Sequence, residues 1–346
     1  LIYSPTLSLT NSLAFHHLPD RDRDFGKIRV WGTIGWIVVG IGIGQWLLHQ
    51  HTPTGVEAEA VSAAQAAGMA DAFKLSGLLG IVMGIFCFFL PSTPPAKEEK
   101  KSAIGGALDA IRLQPLLTLF LIAVPISCVH QFYFVHTAPF LGQFQNQAEG
   151  FIDIVNKIVG VGGGGLMTIG QMAEIGVLAM IPLFTKKYSR KALLCVGIAA
   201  YALRMFLFAY SPGFPEAAQL PAIILGIAMH GLCFGCFIFV AFMVVDEECA
   251  TDVRASAQSL FNLVIVGIGI IVGSKVAGYV AEISTVNEVM NYQKLFSVPM
   301  WAALACLVIM QLCYPNKPPV TAADGPSDKD ADLDIDSDAA SNNGEE

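Results

Sequence analysis

Glu174 is the single acid in residues 158–185, IVGVGGGGLMTIGQMAEIGVLAMIPLFT, a run with no other charge. Keeping a carboxylate ionised at the centre of a bilayer costs about 2.5–3.5 kcal/mol on insertion scales, so a carboxyl placed there faces a polar cavity or a partner rather than lipid. Gln171 precedes it by three residues, and at helical spacing the two side chains share a face. Such an amide and carboxyl stripe suits a hydrogen-bonding solute. It equally suits interhelical bonding, with a protonated Glu174 donating to a neighbouring carbonyl.

Other polar groups recur inside apolar stretches. Arg29, Thr33 and Trp36 stand at i, i+4 and i+7, which puts guanidinium, hydroxyl and indole on one helical face. A planar donor fork beside a flat ring suits a polar solute that contains a ring. The alternative has Arg29 snorkelling to the interface while Trp36 packs. Residues 115–141 carry His130, Gln131, Tyr133 and His136, of which Gln131 is the candidate to line a site or to bond another helix. Arg204 lies deep in residues 191–211 and needs a carboxylate or carbonyl partner, which favours a structural ion pair over solute contact. His230 and Phe234 stand at i and i+4. His230 is either a proton group or a satisfied core histidine.

These residues must be positioned by membrane helices. Of 346 residues 54% are hydrophobic and 14% charged, where a soluble domain carries about 25% charge, and the mean hydropathy is +0.59. Apolar runs near the roughly 20 residues a span requires predict eight helices, at 28–48, 72–91, 115–141, 158–185, 191–211, 219–245, 255–281 and 295–314, with a partial one at 1–18. Residues 49–71 are expected to be an extracytoplasmic loop, and the proline- and charge-rich PSTPPAKEEKKS marks a boundary between two bundles. Lys and Arg crowd into 19–29, 92–114 and 186–191, which by the positive-inside rule places those segments and the C-terminus in the cytoplasm.

The whole net charge of −8 belongs to the last 26 residues, which hold nine acids and one lysine. Their low hydrophobicity predicts disorder, and DADLDID lacks the turn glycine and terminal Glu of a calcium loop. All eight cysteines lie in or beside apolar spans, so no disulfide framework is expected. Cys233 and Cys236 read as core, His49 and His51 as solvated, and no cofactor or metal is called for. HExxH, GxSxG and every recognisable nucleophile–base pairing are missing from the sequence, which argues against an enzyme. The chain starts on Leu1 within an apolar segment and reads as N-terminally truncated.

RVWGTIGW, the Gln171–Glu174 pair, LRMFLFAY and RASAQ, in that order, resemble the nucleoside:proton symporters of the major facilitator superfamily, the bacterial nucleoside permeases. The resemblance runs to about residue 315. It implies an all-α membrane bundle of twelve helices entered within the fourth. The remainder of the N-terminal bundle would be 1–91, the cytoplasmic linker 92–114, the C-terminal six-helix bundle 115–315 and the acidic tail 316–346. Substrate contacts are implied at Arg29, Thr33, Gln131, Gln171, Glu174 and Phe234, with Trp36 at an aromatic position of the family.

Three positions depart from the family permease compared: Phe134 stands for Asn, His230 for Tyr and Gly235 for Asp. The last shifts proton coupling onto Glu174, with His230 a second candidate. The expectation is a multi-pass importer of the cytoplasmic membrane, monomeric and without nucleic-acid partners, that carries nucleosides with protons by alternating access. The base would lie against Trp36 and Phe234, and the polar residues, His230 included, would line one wet chamber. A carrier for a nucleobase or oligosaccharide, or a non-transporting receptor, stays open as an alternative.

Overall fold

A backbone that crosses hydrocarbon must satisfy its own N–H and C=O groups, and the apolar stretches of this chain do so as helices. The computed structural model describes residues 21–92, 103–147, 150–250 and 253–316, with residues 10, 13, 14 and 17. The expected partial helix at 1–18, the charged stretch 93–102 and the acidic tail fall largely or wholly outside the described residues.

The helices are α1 (Arg21–Gln50), α2 (Ala58–Cys87), the short α3 (Ala103–Ile111), α4 (Leu116–Gln147), the short α5 (Phe151–Val159), α6 (Gly164–Lys187), α7 (Arg190–Tyr210), α8 (Glu216–Leu232), α9 (Val240–Glu248), α10 (Arg254–Asn262), α11 (Gly269–Ser284) and α12 (Tyr292–Cys313). Wider π turns at Cys233–Phe239 and Leu263–Ile268 join α8 to α9 and α10 to α11. Among the described residues, eight helical stretches are long and apolar enough to cross a membrane, the number the apolar runs predict.

Two boundaries differ from the sequence reading. Residues 49–71 are mostly helix rather than loop, because α2 already begins at Ala58. AEAVSAAQAAGMADA is rich in alanine, the strongest helix former, and Gln65 within it donates to Thr52 and to Asn146 at 3.1 Å each, which fastens α2 to α4. The run at 158–185 is also not one helix. Gly160, Gly162 and Gly163 take φ of 80°, 80° and 79°, a region that L side chains rarely adopt, so the chain turns there before α6 starts.

The core lies in the C-terminal six spans, where α7 packs on α12 and α8, α6 on α8, and α4 on α11 and α12. By contrast α2 and the turn that follows it leave Phe73, Leu78, Ile81, Phe88 and Phe89 exposed, an apolar surface suited to lipid or to further helices rather than to water. Asn287 and Glu288 have positive φ and turn a two-residue hairpin, Thr285–Val286 on Val289–Met290, between α11 and α12. Asp71 gathers Trp46, His51 and Lys74, which ties α1 to α2 and gives His51 a carboxylate partner at 3.2 Å. At the other end of the bundle Arg190 Nε donates to Glu247 Oε2 at 3.0 Å and Gln258 to Asp246 at 2.8 Å.

Candidate functional site

Small residues decide where the polar groups meet. A methyl at Gly231 of α8 would lie 2.5 Å from the Ala173 carbonyl and 2.9 Å from the Glu174 nitrogen, and one at Gly170 of α6 would lie 3.0 Å from His230 Cβ. With hydrogen in those places the two backbones touch, and Glu174 Oε2 comes within 3.5 Å of His230 Nε2. Both side chains are enclosed, at 7% and 2% exposure.

Arg204 of α7 is fully buried. Its Nη1 lies 3.2 Å from His230 Nδ1. Its guanidinium stands 4.1 Å from the Tyr133 ring centre and 5.0 Å from that of Tyr201, contacts worth about 2 kcal/mol when desolvated. The sequence reading gave Arg204 a carboxylate or carbonyl. Its hydrogen-bond partner is instead the imidazole of His230, with two phenol rings against the guanidinium, and its Nε and Nη2 make no hydrogen bond among the described residues. Around this centre Tyr133 and His130 stack on His230 at 5.0 and 5.6 Å, and Tyr201 Oη lies 2.7 Å from His130 Nδ1.

Helix α1 reaches the same level from the N-terminal side. It runs antiparallel on α6, with Gly40 against Gly164 and Thr168, and Gly44 against Val159 and Gly160. Counting seven residues along each helix from the Gly40 contact, at 1.5 Å per residue, brings Thr33 level with Gln171 and Glu174. Thr33 and Gln171 are each 7% exposed and Gln131 is half-buried. None of the three makes a side-chain hydrogen bond among the described residues, and none of their polar atoms belongs to the fully enclosed unpaired set.

Trp36 is 62% exposed. Its ring meets Phe134 at 6.0 Å, and Phe134 meets His130 at 4.9 Å and His230 at 6.1 Å. Phe134 therefore links the α1 aromatic to the buried histidines. Phe234, the residue expected opposite Trp36, sits half-buried in the π turn after α8 and enters no ring pair among the described residues. Gln131 lies one turn before Phe134, on the same side of α4, with its Cβ beside Gly273 of α11. Arg29 stands on α1 one turn before Thr33, and its side chain lies outside the described residues. Two surface clefts, of about 530 and 380 Å³, lie near Phe140 and Tyr292 and near Trp301, and these site residues line neither.

Arg204, Tyr133, Tyr201 and Phe134 complete this centre, yet no spacing rule singled them out as a group. An arginine inside an apolar run was the available signal. It showed that a partner was needed without showing which.

Among the described residues, eight apolar spans make this a multi-pass helical membrane protein, and its fold is that of the major facilitator superfamily. The crystal structure of a point mutant of the nucleoside transporter NupG superposes with a TM-score of 0.67 at 25% identity, covering 89% of this chain and 73% of that one. The chain belongs to the nucleoside H+ symporter family, whose model matches residues 1–318. Among its relatives, YegT of Escherichia coli (strain K12) is 31% identical over 290 residues, covering 82% of this chain, and the xanthosine permease of the same strain is 28% identical over 318 residues, covering 89%. The chain spans 61% and 70% of the length of those two relatives.

Proposed function

We propose that the protein is a secondary transporter that carries nucleosides into the cell with protons, by alternating access of two helical halves, 1–91 and 115–315, joined by the linker 92–114. The observation that carries the reading is the contact of Glu174 with His230 at the level where Thr33 and Gln171 present polar groups that, among the described residues, are unpaired. Membership of a nucleoside H+ symporter family and the resemblance to a xanthosine permease support the choice of solute.

In this reading the base lies in the aromatic corner of Trp36 and Phe134, with Phe234 toward the core, and Arg29, Thr33, Gln131, Gln171 and Glu174 bond the hydroxyls and ring edges. Glu174 takes the proton from the outer side. Neutralised, it lets the loaded carrier reorient without moving a bare carboxylate through low dielectric, and it gives the proton up to the cytoplasm. Gly235 supports this assignment, because a methyl there would already lie 2.6 Å from Val177 Cγ1 and leaves an acid no room without displacement. The distribution of Lys and Arg supports a cytoplasmic C-terminus in the cytoplasmic membrane. The glycine contact of α1 with α5 and α6 then closes the outer side in this conformation, and the protein works as a monomer in the bilayer.

The test is counterflow of radiolabelled uridine in proteoliposomes, with unlabelled nucleosides, nucleobases and an oligosaccharide as competitors. Trans-stimulated uptake suppressed by nucleosides is expected. Suppression only by nucleobases or the oligosaccharide would reassign the solute, and binding without counterflow would make the protein a receptor.

A further inference from the structure

Arginine carries five N–H donors, no acceptor and a charge it does not give up inside a protein. Where Arg204 Nη1 lies 3.2 Å from His230 Nδ1, that ring nitrogen must therefore be the acceptor. An imidazole that accepts at Nδ1 carries its single proton on Nε2, and Nε2 is the atom 3.5 Å from Glu174 Oε2. A second proton on His230 would set an N–H against the guanidinium and two like charges together in a dry site, where their repulsion is least screened.

The ring also has little freedom to turn away. Tyr133 and His130 stack on it at interplanar angles of 16° and 21°, Phe134 meets it edge-on, and its Cβ is wedged against Gly170. The titratable and charged groups that face it are His130 and Tyr133 from α4, Glu174 from α6 and Arg204 from α7, with Tyr201 of α7 one step further out against His130 and Arg204. Among these only Glu174 brings a negative charge at the solute level.

We propose that Arg204 is a positioning residue: it locks His230 in the Nε2–H tautomer, with that N–H held facing the Glu174 carboxyl, so that Glu174 alone of the three gains and loses a proton during turnover. The inference rests on the transporter reading for the meaning of turnover, whereas the tautomer itself does not. His230 then keeps one proton throughout. The dipole of its Nε2–H, 3.5 Å from Oε2, favours the carboxylate form of Glu174 more than the protonated one. Arg204 holds this donor in place without touching the solute.

The direct test is nitrogen-15 NMR of histidine-labelled protein in lipid, with His230 assigned by difference against His230→Gln. A single resonance pattern with Nδ1 bare and Nε2 protonated between about pH 5 and 8, the range in which free histidine titrates, is expected. A proton on Nδ1, or a doubly protonated ring within that range, would overturn the proposal whether or not the protein transports nucleosides. A second readout is the pH profile of uptake. Arg204→Met should add a histidine ionisation to the profile that the Arg204→Met/His230→Gln double variant lacks, and His230→Gln alone, which retains a donor for Glu174 and a carbonyl for Arg204, should keep the wild-type profile shape even where uptake falls. A profile that Arg204→Met leaves unaltered in shape would count against the positioning role.

Discussion

Two regions of this molecule bring helices into close contact for opposite reasons. In the interior of the C-terminal spans, Gly170 and Gly231 let α6 and α8 touch so that Glu174 meets His230, on which Tyr133 and His130 stack. Along the seam of α1 with α5 and α6, Gly40 and Gly44 meet Gly164 and Gly160, and the outcome is a nearly bare surface: Val161 N donates to the Gly44 carbonyl at 3.0 Å, and Gln45 donates to the carbonyls of Lys157 and Ile158 at 2.9 and 3.1 Å. The first contact selects chemistry and stays within one half. The second joins α1 to α5 and α6 through small residues and, among the described residues, few polar bonds, the kind of surface that the proposed alternation of access needs.

The difference predicts that the seam is sensitive to size and the interior to chemical type. Gly44→Val would drive two methyls into the backbone at Gly160, where even a single added carbon would come within 2.6 Å of the Val159 carbonyl. Overpacking costs about 1–3 kcal/mol, so transport should fall by up to roughly 100-fold at about 1.36 kcal/mol per decade, while calorimetry on the purified protein still registers nucleoside binding. Normal uptake by this variant would break the comparison on the seam side.

Gln145 fixes the glycine turn beside the seam, donating to Asn156 Oδ1 and the Gly160 carbonyl at 2.8 Å each and accepting from Gly163 N at 2.7 Å. Gln145→Ala loses these three bonds, each worth about 0.5–1.5 kcal/mol. Thermal denaturation in detergent should drop by several degrees, and an unchanged melting curve would show that the turn is held by its glycines alone.

The smallest effect is expected from Phe134→Asn, which puts an amide in place of the ring between Trp36 and the histidines. It should shift competition between nucleosides by roughly three- to tenfold, an energy of about 1 kcal/mol that matches one exchanged hydrogen bond. A competition order identical to that of the parent would remove Phe134 from the solute's surroundings.

The sequence made the spans legible because their lengths answer directly to bilayer thickness, and Gln171 with Glu174 was legible because three residues on a helix set one face. The helical start of α2 was hidden by alanine and glutamate, which lower hydropathy without opposing helix. The turn before α6 was hidden because glycine is close to neutral on a hydropathy scale, and only the positive φ values of Gly160, Gly162 and Gly163 separate it from the span that follows. The Arg204–His230 pair joins residues 26 apart on different helices. No periodicity reports such a contact, since it depends on how α7 and α8 cross. Phe134 was visible only as a departure from the family, and its place beside Trp36 follows from α1 packing against the C-terminal bundle.

The account stands or falls on Glu174 as the proton-exchanging group of a nucleoside carrier. The most direct measurement compares Glu174→Gln with the parent in proteoliposomes, reading uridine accumulation under an imposed proton gradient and uridine counterflow without one. The account predicts that gradient-driven accumulation and its pH dependence disappear while counterflow persists. Accumulation that still follows the proton gradient in Glu174→Gln would contradict it.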